Sequence, residues 1–588
     1  MATYGSLGLV KGGSEWLMAD LPPHVSIRMK HIFPRVPKQS SGPFKFPNDQ
    51  FHCADLDWFL QRYPMAMTAR DRKILVSGRR NFEKHQSEIG RILLPGYTPG
   101  AIQGLREGQQ IRPYQMQAVE LLARRRSLLL GDEGGLGKTY TAGAFLCSQP
   151  DALPAAVVCD PHMQIQWLDK LSGFTKLRVH VIRKASPYSL PPADVYVFRI
   201  SQIAGWTDVF AQGYFKAVVF DEPQSLRTGT STCKGAAAKV LATHTNYRLG
   251  LTATPIYNYG VEMWSVMQFI DDKVLGSYED FSREFVDHNG RIMDPNALGS
   301  YLREQFVLLR RLKADVGLEL PKVSRIIEYV NTDEKAVRSV EALAQMLAIR
   351  ATTGTFIERG QAARELDMMV RQATGVSKAA SVAQYVRLMV EAGEAVLLVG
   401  WHRAVYDIWL KDLADLQPAM YTGSETAARK NSEKERFMSG ETNVMIMSLR
   451  SGAGLDDLQR RCSVVVIGEL DWSPGVHQQV IWRIDREGQQ HPVTVFFLVS
   501  DDGSDPPIMD VLGIKASEAH QIVDPLVHVR TVDDDTTNLR KLVDRYLNLG
   551  TKSKPVASIE VGEGFHGDFT HKNALSSGSC EETYLPSH

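Results

Sequence analysis

Between Ile111 and Pro255, short apolar runs alternate with stretches whose apolar residues recur at helical spacing. The runs are "SLLLG" (127–131), "AAVVCD" (155–160), "DVYVFRI" (194–200), "KAVVFDE" (216–222) and "YRLGLTATP" (247–255). A strand that is apolar throughout needs cover on both faces, so such runs separated by helices predict a parallel sheet with helices on each side. After a mostly helical middle, about Val261 to Glu391, the pattern returns as "AVLLVGWH", "NVMIMSL", "SVVVIGEL" and "VTVFFLVS". Two α/β sheets with helical material between them are expected. Ahead of residue 105 the pattern is less regular. Pro and Gly punctuate "FPRVPKQSSGPFKFP", a helix is expected near Ala54 to Tyr63, and the basic segment "RDRKILVSGRR" follows. "FPNDQFHCADLDWFL" reads equally well as a small packed β–α unit. From about Lys552 the chain is rich in Gly, Ser, Thr and His with few large apolar residues, and reads as a disordered tail.

Composition narrows the classes. The 588 residues suffice for about three or four domains. Lys+Arg and Asp+Glu both total 67, so net charge names no partner and a nucleic-acid surface has to be a local patch. The six cysteines are scattered without a C-x-x-C pair, which argues against a zinc module or a disulfide framework. No basic-then-apolar leader pattern opens the chain, and the apolar runs are too short to span a bilayer. The expectation is a cytoplasmic chain with no membrane partner.

Chemistry concentrates at the ends of the apolar runs. In "LLLGDEGGLGKTYTAGAFL" (128–146), Gly134, Gly135 and Gly137 precede Lys138-Thr139 at the predicted start of a helix. Glycines let backbone N–H groups close on phosphate oxygens, the helix N-terminus favours negative charge, a lysine reaches the β/γ-phosphates and a Thr hydroxyl can bind Mg²⁺. Asp132 stands where the generic motif has its first glycine. In "AVVFDEPQS", Asp221 at a strand end can hold Mg²⁺ and Glu222 can activate water. "LGLTATP" adds Thr252 and Thr254, small hydroxyl residues placed to sense those carboxylates or the γ-phosphate. In "HQQVIWRIDREGQ", Arg483 and Arg486 are three apart, share one helix face, and can act as arginine fingers.

In this order the motifs resemble helicase superfamily two, and specifically its Swi/Snf-type ATPases and DNA translocases. "RPYQ" (Arg112 to Gln115) resembles the family's adenine-reading segment, with Gln115 as the base contact. "DEGGLGKT" is similar to D-E-x-G-L-G-K-T, which also carries Asp at the first position. "VVCDPHMQIQWLDKL" resembles the next motif with Trp167 at its aromatic position, and "LLRRLKADVGLELPK" (308–322) the L-R-R-x-K…L-P segment. "SLRSGAGLDDLQ" resembles motif V, with Gly454 in it, and "DWSPGVHQQVIWRIDREGQ" the W-x-P…Q…R-x-x-R-x-G-Q segment. The resemblance covers about residues 105 to 505. Gly134 departs from a usual Met, Gln224 from a usual His, Ala253 from a Gly, and Ala453 and Asp456 from the usual motif V residues. The Gln224 and motif V changes bear on how DNA is coupled to ATP.

The resemblance implies two RecA-like parallel-sheet lobes with helical insertions between them and a small N-terminal accessory region: residues 1–104 accessory, 105–325 the first lobe with a helical insertion, 326–510 a helical segment and the second lobe, 511–551 a C-terminal helical segment, 552–588 the tail. It implies ATP with Mg²⁺ between the lobes. Arg112, Gln115, Asp132, Gly135, Gly137, Lys138, Thr139 and Gly454 would bind nucleotide, and Thr139 and Asp221 the metal. Lys138, Asp221, Glu222, Gln224, Arg483 and Arg486 would form the catalytic set. The implied activity is ATP-driven movement on, or remodelling of, double-stranded or branched DNA and protein–DNA complexes, in repair, recombination or replication. A monomer in a bacterial or virus-infected bacterial cell is expected, with any protein partner met through residues 1–104. Two alternatives stay open: a strand-separating or branch-migrating helicase, and a nucleotide-gated DNA-binding module without turnover. Three basic stretches are candidates for DNA: residues 70–73, Arg124 to Arg126, and Arg310 to Lys313.

Overall fold

The structure, a computed structural model, describes residues 3–94, 96–253, 261–287, 290–353, 355–449, 455–510, 512 and 545–547. Thr254, Ala453, Gly454 and the tail from Lys552 lie outside the described residues, as does most of the expected segment 511–551.

The N-terminal region is a unit of its own. Strands β1 (Ser6–Leu9), β2 (Glu15–Ala19) and β3 (Phe44–Pro47) form an antiparallel sheet in the order β1-β2-β3. Helices Pro23–Ile32, Gln50–Arg62 and Ala69–Ile92 pack on it around Trp16, Met18, Leu56, Phe59 and Leu75. The helix expected at 54–63 therefore starts four residues earlier, where Asp49 caps it by accepting from the His52 N–H. "RDRKILVSGRR" lies wholly within the helix Ala69–Ile92.

The first α/β sheet contains β4 (Ser127–Leu130), β5 (Ala155–Cys159), β6 (Val179–Val181), β7 (Val195–Arg199), β8 (Ala217–Asp221), β9 (Tyr247–Leu251) and β10 (Leu308–Leu309). All pairings are parallel, in the order β10-β4-β9-β8-β5-β7-β6. Side chains alternate across the sheet, so Leu128 and Leu130 join one apolar layer and Leu129 the other. The second sheet contains β11 (Val323–Tyr329), β12 (Val396–Gly400), β13 (Ala419–Tyr421), β14 (Val444–Ser448), β15 (Val464–Ile467) and β16 (Val493–Val499), again all parallel, ordered β11-β16-β15-β12-β14-β13. These are the two RecA-like lobes.

The expected division at 325/326 falls inside β11 (Val323–Tyr329). β11 hydrogen-bonds along β16 from Val323 onward, so the second sheet claims residues that the boundary had left with the first. Within the second lobe, between β11 and β12, the long helices Glu334–Thr353 and Phe356–Glu391 pack side by side, and Tyr546 is buried against Ala344, Leu347, Leu366 and Val370 of that pair. Among the described residues no helix is long and apolar enough to cross a membrane.

Candidate nucleotide site in the cleft between the lobes

The glycine-rich loop leaves β4 and ends in the helix Lys138–Ser148. Gly135 (φ 92°) and Gly137 (φ 74°) take left-handed backbone, and a Cβ on Gly137 would lie 2.5 Å from Gln115 Nε2, so glycine is required there. The Gln115 side chain is buried and donates to the carbonyls of Leu136 (3.0 Å) and Gly137 (3.3 Å), while its oxygen accepts from the Arg112 N–H. The residue singled out for the base thus also shapes the loop. Asp132 is fully buried and takes a bidentate pair from Arg311, with Nε at 3.0 Å and Nη2 at 2.5 Å. Its carboxylate is used in fastening the loop to the segment after β10; a buried pair of this kind costs several kcal/mol to break, about 3–5.

Lys138 Nζ donates to the carbonyls of Asp132 (2.5 Å) and Glu133 (3.2 Å). Burial lowers its pKa to about 8, against the opposing pull of Glu222 and Asp132. Asp221 closes β8, and burial together with the neighbouring Glu222 pushes its carboxyl up to about 7. Trp167 Nε1 donates to Asp221 Oδ2 at 2.8 Å, which fixes the carboxylate's direction. Glu222 has φ 53°, a left-handed conformation costing a non-glycine residue about 1–3 kcal/mol and characteristic of functional positions. Its pKa is raised by burial, while the Gln224 amide, Lys138, the Thr252 hydroxyl and Arg483 draw it back. The Gln224 Nε2 donates to Glu222 Oε2, so Gln224 and Thr252 aim this carboxylate.

The second lobe meets this surface through the helix Pro474–Ile481 and the residues that follow it. Arg483 is half-buried, its pKa brought down to about 10 by burial and by Arg486, with Asp456 and Glu222 acting in the opposite sense. The Arg483 charge therefore acts on Glu222 of the other lobe. Arg486 lies over the loop: a Cβ on Gly135 would be 3.2 Å from the Arg486 Cβ. Its Nη1 pairs with Asp456 Oδ1 at 2.5 Å. The Trp482 indole covers Gly134, where an added Cβ would come within 2.3–2.6 Å of the ring. The departure from Met at Gly134 thus has a physical partner, because the ring fills the space a side chain would need. Lys313 Nζ reaches Asp485 Oδ2 at 2.6 Å and Glu133 Oε1 at 3.7 Å, and Arg112 pairs with Glu487.

Asp221, Glu222, Gln224, Lys138, Arg483 and the backbone of Arg486 therefore converge on one cleft, with Arg112, Gln115, Asp132, Gly135, Gly137 and Thr139 on the first-lobe side of it. Gly454 lies outside the described residues. The motif reading missed the roles of Trp167, Lys313, Asp485 and Asp456, and the only sequence signal for them was the motif each sits in. A divalent cation fits the carboxylate end: Asp221 is a half-buried acid beside Glu222 whose charge calls for a cation, and Mg²⁺ needs only one or two protein carboxylates beside phosphate oxygens. Phosphates fit the loop, because the indole Nε1 of Trp482 and the Nε of Arg486 are buried donors without an acceptor among the described residues. Among those residues no cluster of three or more His, Cys, Asp or Glu could hold a metal by itself.

Of the three basic stretches, two are used mostly inside the fold. Arg310 Nη1 donates to the carbonyls of Gly131 and Ala253, while Arg311 and Lys313 pair with Asp132 and Asp485. Arg125 pairs with Asp271 at 2.8 Å, and Arg126 lies over the Tyr247 ring. The third differs: along the helix Ala69–Ile92, Lys73, Arg80, Lys84 and Arg91 are exposed at spacings of seven, four and seven, on the face opposite buried Leu75 and Ile89.

The fold and cleft define a class: paired RecA-like lobes with a glycine-rich loop on one and Arg486 of the other lying against it. A profile of the SNF2-related domain matches residues 54–375, more than half of the chain. The chain belongs to the SNF2-related family. It is 25% identical to the SWI/SNF-related matrix-associated actin-dependent regulator of chromatin subfamily A-like protein 1 of Xenopus tropicalis, over 68% of this chain and 43% of that protein. It is 24% identical to the Caenorhabditis elegans homolog of that regulator, over 69% and 62%, and 24% identical to an uncharacterized ATP-dependent helicase of Mycoplasma genitalium, over 66% and 40%. The chain spans about half the length of the curated relatives it matches. Among solved structures, the Sulfolobus solfataricus SWI2/SNF2 ATPase core in complex with dsDNA aligns at 22% identity and a TM-score of 0.36, covering 74% of this chain and 95% of that one.

Proposed function

We propose that this protein is an ATP hydrolase that couples turnover to movement on, or remodelling of, duplex DNA. The observation that carries the reading is the placement of Arg486 and Trp482 of the second lobe over Gly135 and Gly134 of the first lobe's glycine-rich loop, with Arg483 close enough to act on the charge of Glu222. In the proposed cycle Lys138 and the loop amides hold the β/γ-phosphates. Thr139 and Asp221 would hold Mg²⁺, which when bound would supply positive charge beside the phosphate oxygens. Glu222, aimed by Gln224 and Thr252, takes the proton from water, and Arg483 and Arg486 stabilise the charge that develops in transfer. Because acid and base groups come from one lobe and arginines from the other, hydrolysis requires closure. DNA spanning both lobes stimulates turnover only by binding the closed state more tightly than the open one.

The names of the sequence relatives, regulators of chromatin among them, support duplex DNA as the track. So does the exposed row Lys73, Arg80, Lys84 and Arg91, which suits phosphate contacts that carry no sequence information. A part in DNA repair, recombination or replication is the biological role we assign.

ATP hydrolysis measured with no nucleic acid, duplex DNA, single-stranded DNA and RNA, with Lys138→Ala as the blank, tests the proposal. Strong stimulation by duplex that is lost in Lys138→Ala is the expected result. Stimulation by single strands or RNA alone would replace it with the helicase reading, and nucleotide binding without turnover with the gated binding module.

A further inference from the structure

Asp456, the motif V departure, accepts from donors of both lobes. Its Oδ1 accepts from Arg486 Nη1 at 2.5 Å, and its Oδ2 accepts from Gln166 Nε2 at 2.5 Å and from Lys170 Nζ at 2.9 Å. Burial works against its charge, yet Lys170 and then Arg486 hold its carboxyl well below the usual carboxylate range. Arg486 belongs to the second lobe with Asp456, whereas Gln166 and Lys170 belong to the first.

Gln166 and Lys170 are four residues apart on the 11-residue helix Gln164–Phe174 and share a face of it. The same helix carries Trp167, which orients Asp221. One short rigid element therefore holds the proposed metal carboxylate by one side chain and the second lobe's Asp456 by two others. Arg486 is anchored through Nη1 alone; its Nε–H stays buried with no acceptor among the described residues, over the loop glycine Gly135. A guanidinium held at one end with a donor left over is arranged to receive an oxygen ligand without first being ordered. A surface ion pair would show neither this burial nor three donors, from both lobes, on two oxygens.

We propose that Asp456 is a positioning residue: it sets Arg486 over the phosphate-binding loop in register with the helix Gln164–Phe174, so that closing the lobes and placing the second arginine are one event. This rests on the ATP-hydrolase reading. Asp456 touches no reacting atom, so its removal lowers kcat while leaving the KM for ATP nearly unchanged.

The test uses the full chain with saturating duplex DNA. Asp456→Ala is expected to lower kcat about 10-fold or more with KM for ATP within about 2-fold. Asp456→Asn, which keeps an acceptor but loses the charge, and Lys170→Met fall between it and the unmodified chain. In an Arg486→Lys background, where the guanidinium is already gone, Asp456→Ala causes no further loss, because the two residues act as a unit. The proposal is overturned if Asp456→Ala leaves kcat unchanged or raises it, the latter meaning that Asp456 restrains Arg486. It is also overturned if the loss appears mainly in KM, or persists in full in the Arg486→Lys background. If the Ala variant does not fold, Asp456→Asn and Lys170→Met carry the same comparison. An unmodified chain that binds but does not hydrolyse ATP refutes the ATP-hydrolase reading itself, whereas normal turnover with an unaffected Asp456→Ala refutes only the positioning role.

Discussion

In the first lobe the chemistry stands at the ends of strands: the loop after β4, Asp221 and Glu222 at β8, Thr252 after β9. In the second lobe, built on an equally apolar parallel sheet, Asp456 stands in the segment that follows β14, while Arg483 and Arg486 stand in the turns that follow the helix Pro474–Ile481 and so are not on one helix face. The first-lobe half is held within itself by Arg311 on Asp132, Gln115 on the loop carbonyls and Trp167 on Asp221. The second-lobe half is held chiefly by contacts that cross the cleft: Asp456 to Gln166 and Lys170, Asp485 to Lys313, Glu487 to Arg112, Trp482 on Gly134. On the proposed function, the first half is preformed for binding and the second is completed when the lobes close. Binding and turnover should therefore separate by lobe.

The largest expected break comes from the base. Glu222→Gln should bind ATP normally and lose turnover by about 10²–10⁴-fold; equilibrium nucleotide binding beside steady-state hydrolysis checks it, and normal turnover would remove Glu222 from its role. Arg486→Ala should also lose hydrolysis while keeping nucleotide affinity, and a variant that lost only ATP binding would put this arginine on the binding side of the comparison.

A steric change sharpens the same division. Gly134→Met should bring a side chain into the Trp482 ring, hinder closure and lower kcat by about 10-fold or more with ATP binding retained, since turnover needs the second lobe in place. Trp482→Ala should recover part of that loss in the Gly134→Met background; equal or greater loss in the double variant would show that the ring and the glycine are not coupled.

The smallest effect concerns pH and only the second lobe. Burial depresses His477 to about 4, and its Nε2 accepts from the Asp471 N–H at 3.0 Å, so the folded protein carries it neutral. Unfolded, it takes a proton below about 6.5. Between those values the unfolded chain binds more protons, so this contribution is complete above pH 6.5 and is lost as pH falls towards 4, by about 3 kcal/mol at most. Denaturation midpoints should fall over that window more steeply than in His477→Gln; parallel curves would contradict the assignment.

What could be read from the residues follows the same division. β4, β5, β7, β8, β9, β12, β14, β15 and β16 are near-continuous apolar runs, because both faces of a parallel sheet are covered. β6, β10 and β13 span three residues or fewer, too short to show a period. β11 ("VSRIIEY") is an edge strand with half-exposed positions, and only its pairing with β16 reveals which lobe owns it. The N-terminal sheet has strands of four or five residues interrupted by turns. The loop and the Asp-Glu pair were legible because phosphate and metal chemistry demands particular residues at close spacing. Lys313 with Asp485, and Trp482 with Gly134, were not, since each pair joins residues distant in the chain whose meeting depends on how two lobes close.

The central claim is that the second lobe completes a site that the first lobe only forms in part. The most direct measurement is ATP binding and ATP hydrolysis by Arg483→Ala and the unmodified chain, side by side at saturating duplex DNA. The account predicts an ATP Kd unchanged within about 3-fold and a kcat lowered by about 10³-fold or more. Hydrolysis by Arg483→Ala at the unmodified rate would contradict it.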